Sequence, residues 1–180
     1  MKWTTLSCYT DKVSCSTPFV ITNKPLELEH VINTVTSTEC NTSAKITSIG
    51  AITSFLGVVR GSHAGKRVLH LEYEAYVPLA LETFKRISME SNEKWPAVRL
   101  AIHHRTGRLE VGETSIVIVT TSEHRANSFT ACRYALERVK QIAPIWKCEF
   151  FEDGNTWIED ATVDPEDIEA KITAYQRSCE

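Results

Sequence analysis

Ser115-Ile116-Val117-Ile118-Val119-Thr120-Thr121 is β-branched at every position after Ser115, and within a few residues it hands over to Arg125–Ala143, where Phe129, Cys132, Leu136, Val139 and Ala143 recur at helical spacing. A run apolar at every position suits a strand buried on both faces, whereas a 3.6-residue stripe suits a helix laid on a sheet. Working outward, Val98–His104 reads as a second strand, with Gly107 and Gly112 marking the bends between the two. Upstream, Ile49–Arg60 is β-branched and partly alternating, and reads as a strand ending at Arg60; Gly61–Lys66 is a turn. Val68–Tyr76 alternates, which predicts Leu69, Leu71 and Tyr73 on one face and His70, Glu72 and Glu74 on the other. Pro78 opens a helix that runs to about Lys94 and stops at Trp95-Pro96. Downstream, Pro144 ends the long helix. Short strands around Cys148–Phe151 and Thr156–Ile158 flank a turn at Glu152-Asp153-Gly154-Asn155, and a last helix spans about Asp164–Arg177. The expected fold is α+β, a mixed and mainly antiparallel sheet carrying two long helices.

The chain of 180 residues is sized for one domain with a substantial core. Three parts are expected: a peripheral lead-in over 1–48, an α+β body over 49–160, and an acidic helix or tail over 161–180 packed on that body. In the lead-in, Phe19-Val20-Ile21 is a short apolar piece and Leu26, Leu28, Val31, Ile32 and Val35 suggest a modest helix, followed by a polar loop over Thr36–Ser43. Charge is uneven: residues 151–180 carry a net −7 and the rest +4. A body so weakly basic is unsuited to duplex DNA but can hold a local anion pocket. No 18-residue apolar stretch or leader-type segment occurs, so neither a membrane nor nucleic acid is expected as partner, and the cytosol is the expected location. The six cysteines form no C-x-x-C pair and no ligand spacing with histidine, so reduced thiols and no metal are expected. His103-His104 is not a metal pair either, because adjacent strand residues face opposite ways.

Cations mark the candidate site. Ser122-Glu123-His124-Arg125 enters the long helix, whose leading N–H groups lack partners and whose dipole favours an anion, with Ser122 or Thr121 available as cap. Lys140 sits at the other end, and Lys147 follows the Pro144 break, so a Pro-forced turn permits the two amines to converge where they could serve as base or nucleophile. Two solvated lysines are the plain alternative. Arg60 ends a strand, and Glu149 could orient a lysine or shuttle a proton or simply face solvent. Cys148 is expected in the core. Trp146 and Trp157 read as core or interface anchors. Arg125 and Lys140 lie 15 residues apart on one helix, which at ~1.5 Å per residue separates them by roughly 22 Å. One small ligand cannot span that within a single chain, whereas a two-fold dimer pairing such helices head to tail would bring them together.

Several ordered motifs carry a resemblance. Gly50-Ala51-Ile52 through Gly57-Val58-Val59-Arg60, Leu71-Glu72-Tyr73-Glu74-Ala75-Tyr76, His103-His104-Arg105-Thr106-Gly107-Arg108-Leu109, Val111-Gly112-Glu113, Ser122-Glu123-His124-Arg125 and Lys140-Gln141-Ile142-Ala143-Pro144-Ile145-Trp146-Lys147 together resemble the family of the large, catalytic subunit of molybdopterin synthase. The match covers about residues 49–160. It implies an α/β-hammerhead-like fold and a sulfurtransferase of molybdenum cofactor biosynthesis. Sulfur would pass from the C-terminal thiocarboxylate of a small ubiquitin-like subunit, through its Gly-Gly tail, to cyclic pyranopterin monophosphate, forming the dithiolene. It further implies a homodimer at the centre of a heterotetramer, and no cofactor. By matching motifs, Lys140 and Lys147 would be catalytic, Arg60, His124 and Arg125 would bind substrate with them, and Val58, Val59, Cys148 and Glu149 would line the site. The competing expectation is a non-enzymatic module whose cations hold an anion or the tail of a ubiquitin-like protein. The lead-in and the acidic end have no counterpart in the motifs.

Overall fold

The computed structural model describes residues 17–37, 49–158 and 164–179. In chain order the elements are β1 Phe19–Thr22, α1 Leu28–Thr36, β2 Ala51–Val58, β3 Ser62–His63, β4 Lys66–Ala75, α2 Val77–Lys94, β5 Arg99–Arg105, β6 Gly107–Glu110, β7 Thr114–Ser122, α3 Arg125–Ile142, β8 Ile145–Phe151, β9 Gly154–Ile158 and α4 Ile168–Cys179. They form two sheets. One runs β1-β5-β7-β2, antiparallel except for β1 beside β5; the other runs β3-β4-β8-β9, with β6 also pairing β4. The architecture is α+β and mainly antiparallel.

Alternation along β5 and β7 explains the layering. Leu100, Ile102, Ile116 and Ile118 face α2 and α3, where Phe84, Ile87, Cys132, Ala135, Val139 and Ile142 complete the main core. Ala101, Val117 and Val119 face the other way and are covered by Val31 and Val35 of α1. The Ile116–Val119 stretch is therefore apolar at every position because β7 has both faces covered. This also gives residues 17–37 a structural place. Within the stretch expected as a peripheral lead-in, they supply a sheet strand in β1 and the covering helix α1.

Several local expectations change. Leu69 does not share a face with Leu71: the β4–β8 register shifts between Val68 and His70, leaving Leu69 40% exposed while Val68 and Leu71 turn inward. A bulge of this kind breaks period-two alternation. Phe129 is 61% exposed although it lies on the expected apolar stripe of α3. Between the bends expected at Gly107 and Gly112, Gly107–Glu110 forms an additional short strand, β6. Neither Ser122 nor Thr121 caps α3; His124 holds the cap position without a side-chain bond, and the helix start is tied to β7 by Thr120 Oγ1 donating to the Ser128 carbonyl (2.8 Å) and Ser128 Oγ donating to that of Thr120 (3.1 Å). Trp146 and Trp157 are exposed, so neither is a core residue of this chain. Cys8, Cys15 and Cys40 lie outside the described residues, as does the polar loop from residue 38 onward; Cys132, Cys148 and Cys179 are free thiols.

The acidic end packs as α4 against α3, with Ala174 beside Trp95, Ala131 and Tyr134. Beneath it lies a buried ion pair. Arg138, fully buried, donates to both oxygens of Glu90 (2.9 and 3.1 Å), and Tyr134 Oη donates to Glu90 as well (2.9 Å).

Candidate active site

Between the two sheets, under the C-terminal end of α3, lies a cavity of about 500 Å³. Its position follows from three local events. First, the β2–β7 register shifts between Gly57 and Val58, and Ser115 Oγ donates to the Gly57 carbonyl (3.1 Å). A Cβ on Gly57 would stand 2.6 Å from Ile116 Cγ2, so a glycine is needed for this close approach. The chain leaves β2 there, burying Val59 and bringing Arg60 to the rim. Second, α3 ends with Ala143 in extended conformation and Pro144 follows, so β8 starts directly and runs antiparallel to β4. Lys140 and Lys147 consequently both line the cavity. Third, β3 and β4 form a hairpin whose two-residue loop, Ala64-Gly65, has positive φ at both positions (49° and 80°). This is the primed turn that matches strand twist, and it sets Ser62 and His63 on the cavity wall.

The sequence-predicted residues divide between the cavity and other places. Val58, Arg60, Lys140, Lys147 and Glu149 line the cavity. Val59 points into the small core with Val68, Leu71 and Leu109, and Cys148 is 2% exposed on the opposite face of β8 from its neighbours Lys147 and Glu149. Strand alternation accounts for Cys148, and the register shift at Gly57 accounts for Val59. Burial also pushes the Cys148 thiol up, which suits an inert core cysteine. His124 and Arg125 are exposed at the other end of α3, away from this cavity. The 18-residue helix separates the two groups of cations by its own length.

The electrostatics are those of an anion pocket with one internal counter-charge. Arg60, Lys140 and Lys147 face it against a single lining carboxylate, Glu149. Among the described residues no carboxylate pairs with Arg60 or Lys140. Glu149 is 4% exposed and uses both oxygens: Oε1 accepts from Lys147 Nζ (3.0 Å) and Oε2 from His63 Nδ1 (2.5 Å). Burial works to raise its pKa, but the hydrogen bonds and charges of Lys147 and His63 outweigh it and hold the carboxyl below the ordinary range, so it is ionised at neutral pH. His104, 5% exposed, lines the floor with its ring edge-on to Tyr73 (5.1 Å between centroids) and its Nδ1 2.8 Å from the Arg105 carbonyl. Burial pushes it down to about 4, so it is a neutral wall.

His63, Tyr73, His104 and Ser115 are lining residues that sequence reasoning did not select. Their signal was weak. Only strand parity, which puts Tyr73 with Leu71 and Glu149 with Lys147, points to two of these relationships in advance. Among the described residues no cluster of histidine, cysteine and carboxylate side chains could hold a metal.

Comparison with known proteins gives this arrangement a lineage. The family model described as MoaE protein matches residues 21–142. The chain belongs to that family. The match begins inside β1, so the family unit includes the strand and helix that precede residue 49. Among named relatives, the chain is 45% identical over 142 residues to the molybdopterin synthase catalytic subunit of Bacillus subtilis, covering 79% of this chain and 85% of that one. It is 44% identical over 108 residues to the protein of the same name from Homo sapiens, covering 60% and 57%. Among solved structures, molybdopterin synthase from Staphylococcus aureus superposes with a TM-score of 0.72 at 37% identity, covering 80% of this chain and 98% of that one. The protein–protein complex of subunits 1 and 2 of molybdopterin-converting factor from Helicobacter pylori shares the fold at 20% identity (TM-score 0.63; 81% and 93% covered).

Proposed function

We propose that this MoaE-family chain is the catalytic subunit of a molybdopterin synthase, a sulfurtransferase. It moves sulfur from the C-terminal thiocarboxylate of a small ubiquitin-like partner to cyclic pyranopterin monophosphate in molybdenum cofactor biosynthesis, in the cytosol. The observation that carries this reading is the meeting of Arg60, Lys140 and Lys147 in one cavity of about 500 Å³ in a chain of that family. A phosphorylated pterin brings negative charge, and an open cavity beside the edge strand β2 can admit a narrow peptide tail. Fixed cations aimed at developing charge stabilise both the addition of sulfur and the opening of the phosphate ring. Lys140 is assigned to the reacting thiocarboxylate. Lys147, held by Glu149, serves as proton donor and acceptor or as phosphate partner.

His124 and Arg125 enter through a second copy of the chain. On this reading two copies pair so that the N-terminal end of one α3 faces the C-terminal end of the other, making two composite sites within a heterotetramer. Two experiments test these assignments in the assembled complex with thiocarboxylated partner and pterin substrate. Lys140→Ala and Lys147→Ala should each abolish dithiolene formation; wild-type turnover in both would refute the site. Mixing inactive Arg125→Ala and Lys140→Ala chains should restore about a quarter of wild-type activity per site, because half of randomly formed dimers carry one intact composite pocket. No recovery on mixing would refute sharing. Binding of partner and pterin without any turnover in the wild type would favour a non-enzymatic module instead.

A further inference from the structure

Glu149 is the only carboxylate among the described residues lining the cavity, and it divides its two oxygens between donors from different elements: Lys147, two residues before it on β8, and His63 of β3. Lysine has a long, freely rotating stem, so the location of its ammonium depends on what grips it. Here Glu149 Oε1 does so, and the orientation of that carboxylate is fixed in turn by the second donor on Oε2.

The hairpin that carries His63 is itself held in place: β4 pairs with β8, two ion pairs tie it to the turn between β8 and β9, and one backbone bond closes its base. Lys66 Nζ pairs with Asp153 (2.7 Å), Arg67 with Glu152 (3.2 Å), and the Val68 amide donates to the Gly61 carbonyl (3.0 Å). The imidazole is 41% exposed, so it fills no core position whose loss would collapse the fold. With an ionised carboxylate as acceptor, Nδ1 must carry the proton it donates.

We propose that His63 is a positioning residue of the reaction: by donating from Nδ1 to Glu149 it locks the carboxylate that places the Lys147 ammonium in the cavity. The proposal rests on the functional reading above, in which Lys147 acts on the substrate. It assigns His63 no contact with the reacting atoms.

The test is steady-state turnover of the pterin phosphate by the complete complex, with circular dichroism confirming that each variant is folded. His63→Leu should lower kcat/KM by roughly tenfold to a hundredfold, the cost of misplacing a reacting group by about 1 Å. His63→Asn should stay within about twofold of wild type, because its amide nitrogen sits as many bonds from the backbone as Nδ1. His63→Gln, whose amide reaches one bond further, should behave like His63→Leu. In a Glu149→Gln background, His63→Leu should cause no additional loss, as expected when one residue acts only through the other. Wild-type turnover by His63→Leu while Lys147→Ala is inactive would overturn the proposal and leave the site assignment standing. So would a folded His63→Asn as impaired as His63→Leu. Wild-type turnover by both Lys140→Ala and Lys147→Ala would instead overturn the site assignment, and the proposal with it.

Discussion

Acidification should weaken this fold well before its carboxylates protonate, and His104 is the reason. The ring is 5% exposed on β5, between Ile21 of β1 and Ile116 of β7 in the strand register. Burial pushes its pKa from 6.5 to about 4, against a smaller opposing effect of the hydrogen bond to the Arg105 carbonyl. Between those values the unfolded chain binds a proton that the folded chain refuses, so stability is full above about pH 7 and falls as the pH drops toward 4. At about 1.4 kcal/mol per pKa unit the complete effect is about 3 kcal/mol, of which about 2 kcal/mol is lost between pH 7 and pH 5. His103, also lowered by burial, adds to the fall in the same direction, so the two must be separated. His104→Asn keeps a donor for the Arg105 carbonyl and cannot charge. Urea unfolding followed by tryptophan fluorescence at pH 7, 6 and 5, at one protein concentration, should show wild type losing about 2 kcal/mol more than His104→Asn across that interval. Parallel losses in the two proteins would refute the claim that His104 is buried neutral.

The buried Glu90–Arg138 pair yields a second expectation. Glu90→Gln should cost roughly 3–5 kcal/mol, read from the same urea transitions at pH 7, because it leaves the fully buried Arg138 guanidinium uncompensated. The Glu90 pKa is pushed up by burial and pulled down further by its bonds to Arg138, Tyr134 and Arg86, ending below the ordinary value, so this contribution is present above about pH 4.5 and disappears only at lower pH. A third concerns the turn beside His63. Ala64 sits at φ 49° ahead of Gly65, and Ala64→Asn, which recreates the Asn-Gly pair favoured in such turns, should stabilise by about 0.5–1 kcal/mol, visible as a rise in Tm.

How far the residues announced this structure depends on what each reading needed. Helical and strand periodicity located β7, α2 and α3 to within a residue or two, since both faces of β7 and one face of each helix are paired with apolar surface. The β4 bulge was invisible because it arises from pairing with β8, a partner some eighty residues away. The segment before residue 49 looked peripheral because four residues of strand and nine of helix carry little periodic signal alone. In the site, Pro144 suggested that Lys140 and Lys147 could converge, and both line the same cavity. The place of Val59 followed instead from the bulge at Gly57, and that of His63 from a two-residue strand, features too local or too dependent on distant partners for pattern reading.

The two ends of α3 make opposite electrostatic sense, and that contrast bears on the shared-site reading. Lys140 lies in the last turn, where a cation complements the dipole. Arg125 opens the helix, no acidic residue occupies its first turn, and His124 stands at the cap without a capping bond, so this end combines N–H groups that lack intrahelical partners with a guanidinium that the dipole disfavours by about 0.3–1 kcal/mol. Within one chain the Arg125 charge at that position is unfavourable. An anion seated there reverses the sign, since it satisfies the N–H groups and neutralises the side-chain charge together. A phosphorylated substrate held between this end of one copy and the lysine end of another would therefore stabilise the very element that positions Lys140, so bound ligand should raise Tm in wild type and do so far less in Arg125→Ala. An equal rise in both proteins would mean that the helix start plays no part in holding the anion.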